Sequence, residues 1–368
     1  MRIGILTYHR SQNYGAQIQV LAMKSYLEFL GCEVYVVDYW PEYHKSLYEK
    51  SYFTKDNFKR FLLSGKVKYF CRATALSILS YIRRCKTNYF AAKHLNVVSA
   101  DFEFDVLIYG SDQIWRKQHV DSCESYNPIY LGDGRIKACY RMSYAASMGK
   151  IEADENDVVF LKEKLKQFNA LSVREKDLQV FMEVKLGIKP KLVCDPTLLL
   201  AREHWNALLP NKNTCVNKYI FMYNLVGVSE VSKAAERLSK STGMPVVEYR
   251  GYVDKVSFTS KCRVTASAED FLYKIRDAEF VVTSSFHGVA LSLCFEKQFY
   301  FASIDELSNR TESLLSIVNL ESRNISKKSM EDVDWENQID YNKVNSCLED
   351  YRSTSRTWLC ECLDKYNL

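Results

Sequence analysis

Paired cysteines are what the chain most clearly lacks. Its twelve cysteines run from Cys32 to Cys362 without one C-x-x-C pair, the closest spacing being Cys360-Glu361-Cys362. Structural zinc sites need ligands paired at short spacing, so metal binding through cysteine is not expected. Scattered, unpaired thiols point to a reducing, cytoplasmic compartment. The opening MRIGILTYHR turns polar too soon for a secretory signal. No run approaches the roughly 20 apolar residues that span a bilayer. Neither G-x-G-x-x-G nor a Walker A sequence occurs, so dinucleotide binding and P-loop ATP chemistry find no support. Only six prolines and thirteen glycines occur among 368 residues, with no internal repeat and no low-complexity tract.

What is present is the composition of a globular protein, with 47% hydrophobic and 26% charged residues. The length suffices for two medium domains with their own cores. Tyrosine (25) and phenylalanine (19) are plentiful, which suits core stacking first and sugar-binding surfaces second. The net charge of +5 is unevenly spread. Between His44 and His94 twelve Lys and Arg residues, among them Lys45, Lys59, Arg72, Arg83, Arg84 and Lys93, are opposed only by Glu49 and Asp56. Phe53, Phe58, Phe61, Tyr69, Phe70 and Tyr81 are interleaved with them. Such a stretch reads equally as a membrane-surface contact and as a solvated helical excursion from a domain. Nucleic acid is a weaker reading, because no matching basic face occurs elsewhere.

Hydrophobic periodicity gives the architecture. Arg2–Thr7 reads as a buried strand, then comes a polar loop, then apolar residues at helical spacing from Ile18 to Leu30 up to Gly31. Glu33–Tyr39 is a second strand, completing a βαβ unit of a parallel sheet. After the basic excursion, Phe104–Tyr109 and ACYRMSYAASMG read as strands, followed by a charged helix over about Glu152–Phe168. ALSVREKD is a further strand running into polar residues, a helix is expected from Asp177 towards Leu186, and KLVCDPTLLL is a short strand with an Asp-Pro turn. Beyond the linker LLPNKNTCVN a second series follows: strand Lys218–Tyr223, helix Val228–Gly243, strand MPVVEYR, helix Ala268–Asp277, strand Glu279–Thr283 and strand KQFYFA. The last stretch, Tyr341–Tyr366, reads as a helix. The fold class is therefore α/β, with two Rossmann-like domains and a cleft between them. In open parallel sheets ligands bind at the carboxyl ends of strands, so the post-strand loops are where the site is sought.

Polar residues gather in those loops. The first offers His9, Arg10, Asn13, Tyr14 and Gly15; later ones offer Ser111, Asp112, Gln113 and Trp115, then Ser147 and Gly149, then Arg174 and Glu175. Taken singly, Ser, Asp and Asn after a strand are ordinary helix caps; together, on one cleft, they are harder to explain away. In VVTSSFHGVALSL a strand hands over to a helix at Thr283-Ser284-Ser285. Hydroxyls, exposed N–H groups and the helix dipole there favour a phosphate or carboxylate. His287 in the first turn is placed to bond or protonate such an anion, and Gly288 to let it approach the backbone; the alternative is a histidine that merely caps the helix. Arg174 carries the fork for bidentate anion binding, against the alternative of an ion pair with Glu175 or Asp177. Lys297 and Arg310 follow closely enough to add positive charge, and each also reads as a surface residue.

These stretches resemble the polysaccharide pyruvyl transferase family: GILTYHRSQNYGAQIQ, DVLIYGSDQIW, YAASMG, LSVREKD, CDPTLLL, VVTSSFHGVALSL and NRTESLL stand in the family's order from Met1 to about Leu315. The resemblance implies a GT-B-like arrangement and transfer of a pyruvyl group from phosphoenolpyruvate to two hydroxyls of a glycan, forming a ketal in exopolysaccharide, capsule or cell-wall synthesis. It implies phosphoenolpyruvate contacts at Arg174 and His287, with a further basic residue at Arg310 or Lys297. The chain has Ser285-Phe286 before the histidine where some members carry an Arg two residues earlier, so that contact is either absent or supplied elsewhere.

The chemistry suits these residue types, since the donor needs cations for its carboxylate and phosphate and a proton for its methylene carbon. Phosphoenolpyruvate contacts are expected from Arg174, Ser284, Ser285, His287, Gly288, Arg310 and Lys297. His287 is the expected acid and Asp112 the expected base, Asp112 also being a candidate helix cap. His9, Asn13, Tyr14, Gln113 and Trp115 are expected at the acceptor, and no metal or redox cofactor is demanded. The expected domains are 1–205 (acceptor side, with the basic insert at about 44–94), 206–340 (donor side) and a helix at 341–368 packing back on the first. A lipid-linked acceptor at the inner face of the cytoplasmic membrane would explain the insert. The rival readings are a GT-B glycosyltransferase using a nucleotide sugar and a non-catalytic glycan-binding protein.

Overall fold

Runs of β-branched and aromatic residues buried on both faces become parallel strands, and the amphipathic stretches between them become the crossover helices. The computed structural model describes residues 1–48, 59, 67–120, 123–209, 217–225, 227–251, 263–304 and 309–366. In the first half, β1 (Arg2–Leu6), β2 (Glu33–Asp38), β3 (Val97–Ser99) and β4 (Phe104–Gly110) are followed by a hairpin of β5 (Gln118–Val120) and β6 (Cys123–Ser125), then by β7 (Ala138–Tyr144). The sheet order is β3-β2-β1-β4-β7 with all neighbours parallel, as in a doubly wound Rossmann half. A two-strand pair, β8 (Ser172–Val173) and β9 (Lys191–Leu192), continues beyond β7. The second half holds β10 (Ile220–Asn224), β11 (Val246–Arg250), β12 (Phe280–Thr283) and β13 (Gln298–Phe301), parallel in the order β11-β10-β12-β13. Two Rossmann-like halves facing across a cleft give the GT-B-like arrangement expected from the sequence.

The helices of the first half are α1 (Tyr14–Phe29), α2 (Glu42–Tyr48), α3 (Val67–His94), α4 (Glu155–Leu165), α5 (Lys176–Phe181, running into a π turn at Met182–Leu186), α6 (Pro196–Leu199) and α7 (Arg202–Leu208). Those of the second are α8 (Ser229–Thr242), α9 (Ala268–Arg276), α10 (Phe286–Cys294), α11 (Asn309–Ile317) and α12 (Tyr341–Tyr366). Several ends differ from the sequence expectation for local reasons. The helix expected from Glu152 starts at Glu155, because Asp154 and Asp157 form a capping box. CDPTLLL is a helix rather than a strand end: Asp195 caps it and Pro196 opens it.

The halves share one apolar core. Residues Tyr14 to Lys24 of α1 are all buried, because α1 is covered by its own sheet and by the second half. The Tyr14 ring stacks on Phe271 at 5.1 Å and tilts against Tyr223 and Tyr249. Arg83 of α3, expected on a basic outer face, is instead buried in this interface: it donates to Gln12 O (2.6 Å), Val264 O (3.1 Å) and Arg250 O (3.4 Å), and its guanidinium lies 4.8 Å from the Tyr14 ring centre. Lys86 and Lys93 likewise face the second half, pairing with Asp270 and Glu269. The outer stripe of α3 exposes Phe70, Ile78, Tyr81, Ile82 and Tyr89. Lys50, Lys55, Arg60 and Lys66 of the basic insert, with Phe53, Phe58 and Phe61, lie outside the described residues. Helix α12 packs across the first half, where Ser355 Oγ accepts from Cys194 N and Arg352 and Arg356 donate to the last carbonyls of α6, Leu198 O and Leu199 O. Carbonyls at a helix end need such partners when buried.

Candidate active site

Four post-strand segments meet at one end of the two sheets. Arg174 follows β8, Asp195 caps α6, His287 stands in the first turn of α10 after β12, and Arg310 in the first turn of α11. Arg174 donates through Nη1 to Asp195 Oδ2 (2.6 Å) and through Nε to Glu175 Oε1 (3.1 Å). Asp195 also accepts from Thr197 N and Oγ1 at 3.0 and 2.7 Å, and from Ser111 Oγ at 3.4 Å. His287 Nε2 lies 3.7 Å from Asp195 Oδ2, and Arg310 Nε 3.9 Å from Glu175 Oε1. The Phe286 ring holds both guanidiniums, with Arg174 at 5.4 Å and Arg310 at 5.8 Å from its centre. Together they border a cavity of ≈ 210 Å³ that reaches Asn309 and Tyr351.

The site is polar, buried and incompletely satisfied. Arg174 Nη2, Glu175 Oε2, His287 Nε2 and Thr311 Oγ1 are buried without a hydrogen-bond partner. Buried polar atoms are normally paired. These four orphans, two of them on the cavity-lining Arg174 and Glu175 and two on His287 and Thr311 beside the lining residues Phe286 and Arg310, are what a polar ligand would satisfy. Burial pushes the Asp195 carboxyl up, but His287, Arg174 and the Thr197 hydrogen bonds more than offset it and hold it below the usual carboxylate value. Burial and the neighbouring Arg174 push the Arg310 guanidinium down, the mark of a cation short of counter-charge. Burial drives the His287 imidazole down to about 4 against the pull of Asp195 and Asp112, with Arg174 and Arg310 adding to the depression, so it is neutral in the empty site. Its position is set from the other half: a Cβ at Gly15 in α1 would stand 2.2 Å from His287 Nδ1.

The structure brings Arg174, His287 and Arg310 together, with Asp112 in electrostatic reach of all three. Asp112 caps no helix; its Oδ1 accepts from Gln113 N in a turn. Other expectations are corrected. Lys297 sits just before β13, at the far end of the sheet, where burial and Arg202 push its ammonium down. Gly288 is glycine because a Cβ there would meet Thr283 Oγ1 at 2.3 Å, so it serves packing rather than ligand approach. The N–H of Ser284 is used by Tyr223 O and that of Ser285 by Thr283 Oγ1, while Ser284 Oγ accepts from Leu225 N. Tyr14 and Trp115 are core rings with no face for a sugar; the Trp115 indole donates to Tyr130 O. Asn13 caps α1 by accepting from Gly15 N, and Gln113 packs on Gly149. His9 is buried against Asp38 (3.3 Å), beside the Arg10–Asp38 pair. The sequence does not single out Asp195 or Phe286 as site residues, and Glu175 stands out only as a loop residue that could pair with Arg174, a pairing the structure contains. The signal for Asp195 was present, an acid between a strand and a helix-opening proline.

A model of the family described as polysaccharide pyruvyl transferase matches residues 13–306. The chain belongs to that family. The match takes in Arg174, Asp195 and His287 and stops just short of Arg310. No curated protein sequence matches the chain significantly. Among solved structures it is similar to the S. aureus MnaA–UDP complex (11% identity, TM-score 0.43, 96% of this chain and 90% of that one). It is also similar to the UDP-GlcNAc 2-epimerase from Methanocaldococcus jannaschii (11%, 0.40, 95% and 92%) and to E. coli heptosyltransferase WaaC with ADP-2-deoxy-2-fluoro heptose (11%, 0.37, 82% and 88%).

Proposed function

We propose that this family member moves a pyruvyl group from phosphoenolpyruvate onto two hydroxyls of a glycan, forming a pyruvate ketal. The observation that carries the reading is the pair of guanidiniums on Phe286, one with an unpartnered buried Nη2 and the other short of counter-charge, beside a buried imidazole. Two cations suit a small ligand with an anion at each end, the carboxylate and phosphate of the donor. Arg174 stays fixed on Asp195 and Glu175 through Nη1 and Nε, and offers its remaining edge.

Bound anionic charge would draw the His287 pKa back up, so the proton reaches the site with the substrate. His287 Nε2 then gives that proton to the methylene carbon, which becomes a methyl group, and the adjoining carbon turns electrophilic. One acceptor hydroxyl adds there as Asp112 takes its proton. The second hydroxyl displaces phosphate, which leaves as the second C–O bond closes the ring; one of the two hydroxyl protons restores His287 and the other departs with phosphate. No electron carrier or metal is called on. Phosphoenolpyruvate should raise the melting temperature and UDP-sugars should not. Incubation with a galactose- or mannose-type acceptor should release phosphate and add the mass of a ketal, and His287→Ala should cut turnover by about 100-fold or more. Equal turnover in His287→Ala would remove the imidazole from the chemistry.

The glycan reading extends to a membrane surface. Among the described residues no helix is long and apolar enough to cross a membrane. The exposed rings and aliphatics of α3 lie with Arg72 and with Arg84, whose guanidinium is 5.6 Å from the Tyr81 ring centre. A helix of this kind lies in the interface of an anionic bilayer. Sedimentation with phosphatidylglycerol vesicles should drop several-fold in Arg72→Glu/Arg84→Glu, and unchanged sedimentation would defeat this extension alone.

A further inference from the structure

The second cluster of unsatisfied polar atoms lies away from the donor cavity, where α2 follows the carboxyl end of β2. We propose that Trp40, Tyr43 and His44, backed by the buried rings of Tyr8 and Tyr130, form a sugar subsite that holds a pyranose ring of the acceptor beside Asp112. The proposal rests on the glycan-transfer reading above.

The His44 ring is enclosed edge-on by Tyr8 at 4.2 Å and Tyr43 at 4.6 Å, with Trp40 tilted against it at 5.2 Å. Tyr8 in turn meets Tyr130 edge-on at 5.2 Å. Within this nest of rings, His44 Nδ1 and Tyr130 OH are buried without hydrogen-bond partners. One orphan could be chance; two in one aromatic cluster point to a hydroxylated ligand. Trp40 and Tyr43 are only half-buried, so part of each ring stays open to a partner. The phenol of Tyr43 lies 3.4 Å from that of Tyr8, which donates to Gln113 O at 3.2 Å and ties the nest to the Asp112 loop.

The chemistry of the cluster selects a neutral sugar over an anion. Its five residues supply rings, hydroxyls and one imidazole, with no cation among them. Burial pushes His44 down to about 4, so its imidazole is neutral and can both give and accept a hydrogen bond, as a sugar hydroxyl does. A pyranose matches this with an apolar C–H face for a ring and hydroxyls at its edge. Asp112 acts electrostatically on His44, Tyr8 and Tyr130 as well as on Arg174, His287 and Arg310. A sugar in the nest therefore lies, like the donor cavity, within the electrostatic reach of the expected base.

The test is saturation-transfer NMR on the full chain with methyl β-galactoside and methyl α-mannoside. The wild type should pass saturation to ring protons of at least one glycoside. Trp40→Ala and the shape-preserving His44→Phe should each weaken that contact by about tenfold. The phosphoenolpyruvate-induced melting shift, read on the same samples, should stay unchanged and certify that both variants fold. Equal saturation in the variants and the wild type, or none in the wild type with either glycoside, overturns the subsite. Trp40-dependent glycoside contact without any shift from phosphoenolpyruvate keeps the subsite and overturns the donor assignment instead.

Discussion

His287 and His44 show how burial alone can set a residue's charge. Both imidazoles are pushed down to about 4 chiefly by burial, well below the ordinary histidine value. The unfolded chain therefore binds protons between about pH 6.5 and pH 4 that the folded chain refuses, so stability falls as the pH falls through that window and is flat above it. Each group contributes up to about 3 kcal/mol to that loss. Urea titrations at pH 7, 5.5 and 4.5 should show the decline, and His44→Phe should flatten it. An identical decline in that variant would show that His44 is not protonated on unfolding. These two histidines also mark where reading the sequence stopped. His287 stood out because a strand-to-helix junction exposes N–H groups; His44 had no such signal, since the Tyr8 ring that closes on it beside Tyr43 and Trp40 comes from the distant loop after β1.

At the scale of elements, α1 and α10 meet through a residue that has no side chain. Gly15 sits in the first turn of α1, where alanine would favour the helix by about 1 kcal/mol. A Cβ there would press into the His287 ring, however, at 2.2 Å from Nδ1. Gly15→Ala should therefore keep its melting temperature within a few degrees while losing at least about tenfold in turnover, with a weaker shift from phosphoenolpyruvate. Full turnover in that variant would show that α1 does not seat the histidine. Most elements were legible in the sequence, because strands such as Phe280–Thr283 and helices such as Tyr341–Tyr366 have one dominant periodicity. The misread ones were short. Pro196–Leu199 is too brief for a helical period to declare itself, and the antiparallel pair β5 and β6 has only three residues in each strand, too few for an alternation to show.

At the scale of the whole molecule, the basic helix of the first half proves to be a strap across the second. Arg83 gives its N–H groups to carbonyls of both halves, Gln12 O on one side and Val264 O and Arg250 O on the other. Arg83→Met would leave those buried carbonyls short of donors, at about 1–3 kcal/mol for each unsatisfied group. The expected result is a urea midpoint lowered by an amount equivalent to about 3 kcal/mol, and faster proteolysis between the halves. A midpoint equal to the wild type's would make the strap ornamental. The sequence pattern suggested a surface for this arginine, because a run of Lys and Arg on an amphipathic helix is usually solvated. Only the packing of α3 against Tyr14 and the second sheet decides which of its charges turn inward.

By itself the sequence determined the two α/β halves, the parallel sheets and the family, since periodicity and ordered motifs are local properties of the chain. It also singled out Arg174 and His287, because each stands at a strand end where ligands bind. Tertiary structure alone decided which loop residues share a cavity: Asp195, Glu175 and Phe286 entered the site, while Lys297, Tyr14 and Trp115 left it for the far sheet end and the core. The physical reason is distance. Hydrogen-bond and charge contacts act over a few ångströms: Arg174 and Asp195 come within that range because β8 and β9 pair side by side in the first half, and Arg174 and Arg310 share the Phe286 ring only because the two halves meet.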